Sequence, residues 1–335
     1  MSHAERPSDE FITLLKKSGD SDQNVAYAAQ REFAKALELP LRKGVLVGNI
    51  LGDIFETINV EPGASTEYPL DLISPGLEGE HIAYTNPGHG RVPERAVESD
   101  YVTIPTYSIT SSIDYLLRYA REARWDIVGR AMQALEAGFT KKMNDDGWHT
   151  LLAAGVDRNI LVYDGDATAG LFSKRLVSLM QTTMRRNAGG NTGSANRGRL
   201  TDLYVSPEAL EDVRNWGLDQ VDEVTRREIY TAAEGGAPIT RIFGVNLHDL
   251  DELGEGQEYQ SFFTDGLGGA VQTSDLELVV GLDQGANDSF IMPMKQQVQV
   301  FEDPTLHRQQ RAGYYGFAEL GFAVLDNRRV ILGSF

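Results

Sequence analysis

The 335-residue chain contains no cysteine. That excludes disulfides, thiolate metal sites and cysteine nucleophiles, and it is compatible with a reducing compartment. No run approaches the ~18 consecutive apolar residues of a membrane-spanning helix, so no membrane association is expected. The first ten residues are polar and acidic, and no secretory leader is expected from them. Positive charge is scarce. Thirty-one Lys and Arg stand against 49 Asp and Glu, a net charge of −18. A chain of that sign is a poor general binder of nucleic acid, because phosphate neutralisation needs clustered cations. Lysine is missing altogether between Lys43 and Lys141. Catalytic motifs are missing too. There is no phosphate loop ending in Gly-Lys-Ser/Thr and no Gly-x-Ser-x-Gly elbow. The run Gly266, Gly268, Gly269 has Val271 where the third glycine of a dinucleotide fingerprint belongs. The six histidines form neither a His-x-x-x-His pair nor the His-Glu-x-x-His zinc pattern.

What is present is a hydrophobic share of 41%, enough for a substantial core, over a length that allows two or three domains. Charge is segregated along the chain. Residues 56–103 carry nine acids and two arginines, and residues 202–259 carry fourteen acids and four arginines. Between them lie Lys174, Arg175, Arg185, Arg186, Arg197 and Arg199, with no acid from 174 to 199. That basic run reads either as a nucleic-acid or partner-binding patch, or as a solvated helix face and loop that pair with the acidic segment after it. One acidic cluster tests against a calcium loop. Asp249, Asp251 and Gly254 fit positions one, three and six, but Leu253 and Gln260 occupy positions five and twelve. The expectation is a solvated turn after a strand.

The apolar pattern predicts a loose polar arm over residues 1–20, then a helix over 24–39 capped by Asp22 and ended by Pro40. Residues 56–103 hold five prolines and five glycines. They are too long for a structureless loop in a compact domain. A two-stranded excursion is predicted, leaving through 57–60 and returning through 91–105. A strand over 101–110 and a helix over 113–121 follow. The strongest periodicity is Val128, Met132, Leu135, Phe139, giving a long helix over 125–144 with Lys141 and Lys142 in its last turn and Asp145-Asp146-Gly147 as its stop. Further helices are read over 171–186, 207–216 and 220–233. Strands are read over 203–205, 239–247, 262–263, 276–282 and 297–300, with a hairpin of 314–325 and 328–332 around Asp326-Asn327. Trp125, Trp148, Trp216 and His149 read as packing residues, and His89 as an exposed loop residue.

This order of elements resembles the major capsid protein of tailed bacteriophages, the Hong Kong 97 fold. The runs Leu-Tyr-Val-Ser-Pro-Glu-Ala-Leu (203–210) and Arg-Val-Ile-Leu-Gly-Ser-Phe (329–335) resemble its strand-to-helix step and its closing strand and tail. The resemblance implies an α+β chain with an N-terminal arm and helix (1–55), an extended loop (56–103), a peripheral domain with a spine helix (104–169), an axial domain (170–288), and peripheral strands with a C-terminal tail (289–335). The implied function is an icosahedral phage head around double-stranded DNA, found in the virion and assembled in the host cytoplasm. No catalytic, cofactor-binding or metal residues are expected. The implied partners are further copies of the chain in hexamers and pentamers, a separate scaffolding protein, a portal, optionally a decoration protein, and DNA held weakly and without sequence preference. Candidate intersubunit contacts are Phe11, Leu14, Glu78, Glu80, Arg91, Arg95, Arg185 and Arg186. Only 55 residues precede the loop, fewer than the fused scaffolding region of some members, so a mature-length product or a separate scaffold is implied. The founding member cross-links through a lysine in the extended loop. Without a lysine from 44 to 140, no such cross-link is expected. Two other readings remain: an encapsulin-like compartment shell, and a soluble α/β enzyme using the acids near Asp249 and Asp251.

Overall fold

The computed structural model describes residues 9–20, 22–48, 50–61, 63–69, 101–122, 124–168, 170–187, 198–216, 240–260, 277–285 and 289–335. In chain order the elements are α1 (Asp9–Ser18), α2 (Gln23–Gly48), β1 (Glu56–Asn59), β2 (Glu67–Pro69), β3 (Tyr101–Thr103), β4 (Tyr107–Leu116), α3 (Leu117–Arg121), α4 (Trp125–Asp157) and β5 (Leu161–Tyr163). Then come α5 (Lys174–Asn187), β6 (Asp202–Val205), α6 (Pro207–Asn215), β7 (Thr240–Ile242), β8 (Val245–Asp249), β9 (Leu278–Leu282), β10 (Phe290–Glu302), β11 (Arg311–Leu320), β12 (Ala323–Val324) and β13 (Val330–Ser334). The chain forms two compact units. The first comprises Met1–Glu67, Thr103–Trp148 and Ile291–Phe322, and the second Tyr68–Val102, His149–Phe290 and Ala323–Phe335. Residues 149–169 and 323–335 thus group with the second unit, whereas the resemblance places them with the peripheral domain.

In the first unit the described part of the expected loose arm, residues 9–20, holds a packed helix, and residues 1–8 lie outside the described residues. Leu15 on α1 is fully buried, the Phe11 ring lies 4.9 Å from Phe33, and Gln30 Nε2 donates to the Ser18 carbonyl at 3.0 Å. The Asp22 side chain accepts from the Asn24 amide at 3.0 Å at the start of α2, as a helix cap does. Pro40 does not end that helix, which runs eight residues further. Leu37, Leu41 and Val45 stay buried at four-residue spacing across it. That continuous stripe offsets the lost backbone hydrogen bond and the ring clash, a cost of about 3 kcal/mol.

The sheet of this unit runs β1-β10-β11-β4. β1 lies parallel to β10, so residues 56–59 are a sheet strand and not the outgoing arm of the loop. β2 and β3 pair with each other, and most of the expected excursion, residues 70–100, lies outside the described residues. β4 pairs with β11 over ten residues, from Tyr107 opposite Leu320 to Leu116 opposite Arg311. The helix expected from residue 113 therefore starts only at Leu117. Ile109 and Tyr115 are buried while Ser108, Thr110, Ser112 and Asp114 are exposed, a period of two over the whole stretch.

Helix α4 is 33 residues long and passes the predicted stop. A Cβ on Gly147 would collide with Leu51 and press on Phe322, so this glycine serves close packing and not a helix end. Lys141 and Lys142 consequently sit mid-helix, where Lys142 pairs with Asp146 at 2.7 Å.

The second unit has a sheet in the order β5-β13-β9-β6-β8-β7. Every residue of β6, β9 and β13 is buried. Leu332 meets Gly155 of α4, while its neighbour Gly333 meets Met180 of α5. Adjacent strand residues face opposite sides, so helices cover both faces. Gly281 and Gly333 let the Met180 side chain lie against the strands, since a Cβ at either would crowd it. The predicted C-terminal hairpin does not form. β11 belongs to the first unit's sheet, whereas β13 pairs with β5 and β9, and Asp326 caps a 3-10 turn over Asn327–Arg329. Ser206 caps α6 by accepting from the Ala209 amide at 3.2 Å, with Pro207 in the first turn. The elements read over 220–233 and 262–263, and His89, lie outside the described residues.

Candidate functional site

Two kinds of surface emerge. The first is the uncovered face of the β1-β10-β11-β4 sheet. Tyr315, Phe317 and Glu319 of β11 alternate with the buried Tyr314, Gly316 and Ala318 and point away from the core. Phe301 of β10 stacks on both rings, 5.7 Å from Tyr315 and 5.5 Å from Phe317. Tyr315 is 42% exposed and Phe301 37%. Three stacked, partly exposed aromatics beside the Ser108, Thr110 and Ser112 row of β4 form a flat apolar patch without charge at its centre. Such patches mark contact surfaces more often than isolated exposed side chains do.

The second lies in the second unit. Arg185 and Arg186, exposed in the last turn of α5, line an open groove of about 510 Å³ with Arg199, Gln181 and Thr182. Their place at a helix C-terminus complements the helix dipole. Among the described residues no carboxylate pairs with these three side chains. The Arg199 backbone amide donates to the Asp283 carboxylate at 2.9 Å, and Asp283 in turn pairs with the buried Arg329. This buried ion pair fastens the end of β9 to the start of β13.

Elsewhere among the described residues, buried polar groups bond to one another. Asp202, buried on β6, lies 2.9 Å from His248 Nε2 and accepts from Asn246 at 3.1 Å. Burial raises its carboxyl, but the hydrogen bonds from His248, Thr201 and Asn246 outweigh it and hold the pKa below the ordinary value. Glu277 shifts the other way. Burial pushes it up against the Ser206 hydrogen bond, and the neighbouring Glu208, Asp212 and Glu255 add to the rise. The calcium-like run forms successive turns, and Gln260 accepts from the Leu278 amide at 3.3 Å. Among the described residues no group of three or more His, Asp or Glu is arranged to hold a metal. His149 packs edge-on against Tyr259 with ring centroids 5.6 Å apart, and Trp148 and Trp216 are buried.

Of the candidate contacts read from the sequence, Arg185 and Arg186 are brought together on the groove. Phe11 and Leu14 lie partly buried on α1, where Phe11 meets Phe33 of the same chain. Glu78, Glu80, Arg91 and Arg95 lie outside the described residues. Sequence reasoning missed the Phe301, Tyr315 and Phe317 patch. Its signal is the alternation Tyr-Gly-Phe-Ala-Glu-Leu over 315–320, which places the two β11 aromatics on one face. The Asp283–Arg329 pair left no local signal, since its members are 46 residues apart.

No protein-family model matches the sequence, and no curated protein matches it. Solved structures do match. A structure from Microbacterium phage Oxtober96 is 10% identical with a TM-score of 0.56, covering 86% of this chain and 90% of that one. The Cyanophage Pam1 capsid asymmetric unit is 12% identical with a TM-score of 0.54, covering 84% and 88%. The capsid of an empty GTA particle is 14% identical with a TM-score of 0.53, covering 86% and 90%. The chain has the α+β capsid fold of the Hong Kong 97 type, the fold that its order of elements implied.

Proposed function

We propose that this chain is the major capsid protein of a tailed bacteriophage, a structural and non-enzymatic subunit that self-assembles into an icosahedral head enclosing double-stranded DNA. The observation that carries this reading is the extent of the fold likeness. It covers 84–86% of this chain and 88–90% of phage and particle chains, two of them named as capsids. The exposed aromatic patch and the arginine-lined groove supply the contact surfaces such a subunit needs. In this reading the partners are other copies in hexamers and pentamers, a separate scaffolding protein, a portal, optionally a decoration protein, and DNA contacted weakly and without sequence preference. The site of action is the virion, with assembly in the host cytoplasm. Phe11, Leu14, Glu78, Glu80, Arg91, Arg95, Arg185 and Arg186 remain the proposed intersubunit contacts. Negative-stain microscopy and sedimentation of the purified chain test the reading. Closed shells hundreds of ångströms across are expected, with nucleic acid and not a cargo enzyme in filled particles. A chain that stays monomeric at every concentration and salt overturns it.

A further inference from the structure

The six-stranded sheet of the second unit is electrically lopsided. β5 runs parallel to β13 and β6 parallel to β8, while β9 runs against β13 and β6, and β7 against β8. All four parallel strands therefore end at the same end of the sheet. There the end of β8 and the turn after it carry Asp249, Asp251, Glu252, Glu255 and Glu258. The acids of α6, which follows β6, and Glu277, which precedes β9, lie at that same end. Burial raises the Glu277 pKa first, and the negative charges of Glu208, Asp212 and Glu255 close by raise it further.

At the opposite end the acids Asp202, Asp283 and Asp326 are paired with His248, Arg329 and Arg328, and the exposed charge left over is basic. Arg199 precedes β6, and Arg185 and Arg186 close α5 beside it on the same groove. Three exposed guanidinium groups around one opening repel one another unless an anion enters. Each presents a planar fork that fits a carboxylate bidentately. Gln181 and Thr182 add polar side chains along the rim. On the acidic end Asp249, Asp251 and Glu255 are exposed, and no cation pairs with them among the described residues.

We propose that the Arg185, Arg186 and Arg199 groove docks the 249–258 acidic turn of a second copy of this chain, head to tail. This rests on the shell reading above and specifies one of its contacts. Both surfaces are present on every copy, at opposite ends of one sheet, so each copy takes one neighbour and offers itself to the next. A contact of that kind is heterologous, and it repeats into a ring when the rotation closes. It also accounts for how chains of net charge −18 approach each other. The screening length at physiological salt is about 8 Å, so only surfaces in close contact offset the general repulsion.

The test uses the full chain and four variants. These are R185E/R186E, the milder R185Q/R186Q, D249K/D251K/E255K, and the glutamate and lysine sets combined. Assembled fraction is read by sedimentation at low and high salt, and folding by thermal melting. Each reversal alone is expected to lower the apparent association constant by about tenfold or more at low salt, as removal of close interfacial charge pairs does. The R185Q/R186Q variant is expected to fall between wild type and R185E/R186E, and the combined variant to recover most of the loss. All substituted side chains are exposed, so melting temperatures are expected to stay near wild type. Normal assembly of either reversal alone, or a combined variant no better than its parents, overturns the proposal. Normal assembly of R185E/R186E with loss of co-purifying nucleic acid overturns it in favour of a DNA-facing groove. A wild-type chain that never assembles sinks the shell reading itself and takes this contact with it.

Discussion

The two units bury their sheets differently. In the first, β4 and β11 are covered on one side and show the other, where Phe301, Tyr315 and Phe317 stack in the open. In the second, β6, β9 and β13 are buried on both faces between α5 and the end of α4. A sheet covered on one side offers a face to a partner. A sheet covered on both sides offers only its ends and edges, and here the ends are charged. One chain thus carries an apolar contact surface and an electrostatic one, and the two should respond differently to salt. Apolar burial changes little across physiological ionic strength, whereas exposed charge pairs are screened.

The comparison breaks most sharply where the second unit's ion pair is cut. Arg329→Met leaves the buried Asp283 carboxylate without its cation. A loss of about 3–5 kcal/mol is expected, seen as an early denaturation transition. The first unit should lose as much from a purely apolar cut. Phe139→Ala, at a fully buried position on α4, is expected to cost about 3–5 kcal/mol, and salt should not alter that cost. A smaller effect separates contact from folding. Phe301→Ser with Tyr315→Ser should leave the monomer's stability within about 1 kcal/mol yet reduce assembly equally at low and high salt. Assembly by this variant at the wild-type level removes the aromatic patch from the interface.

The smallest effect concerns pH. The folded pKa of Glu277 is raised, so its contribution to stability is present below the unfolded value of about 4.3 and is lost as pH rises through the folded value. Glu277→Gln should therefore raise the melting temperature at neutral pH by about 1–2 °C. The gap should close in mild acid, and a constant gap from pH 4 to 7 contradicts the assignment. Asp202 has the opposite sign. Its lowered pKa stabilises above the unfolded value and is lost only in stronger acid.

Much of the fold was legible because it is written in local periodicity. The helical stripe from Val128 to Phe139 and the Ser206-Pro207 cap emerge where their patterns place them, and the strands read over 276–282 and 328–332 emerge at 278–282 and 330–334. The errors share one cause. Pro40 and Gly147 are local stop signals, the helix read from residue 113 is a local pattern, and each was overridden by what packs against it. Pro40 sits within a buried stripe, Gly147 lies under Leu51, and residues 113–116 lie in a strand held by β11. Of the candidate contacts, Arg185 and Arg186 were legible because a run from 174 to 199 free of acid stands out in a chain this acidic. The groove was not, since Arg199 joins it only through the placement of β6 beside the end of α5.

By itself the sequence determined the types of the strongly periodic elements, the segregated charge and the capsid-like order of helices and strands. These depend on neighbours within a few residues or on composition. Tertiary structure alone decided that residues 56–59 pair with β10, that 330–334 leave the preceding strand to join β5 and β9, and that the 249–258 acids and the Arg185, Arg186 and Arg199 groove occupy opposite ends of one sheet. Strand pairing is set by the burial available on each side and by partners far along the chain. The direction of charge across the sheet follows from which strands run parallel, and no local pattern records that.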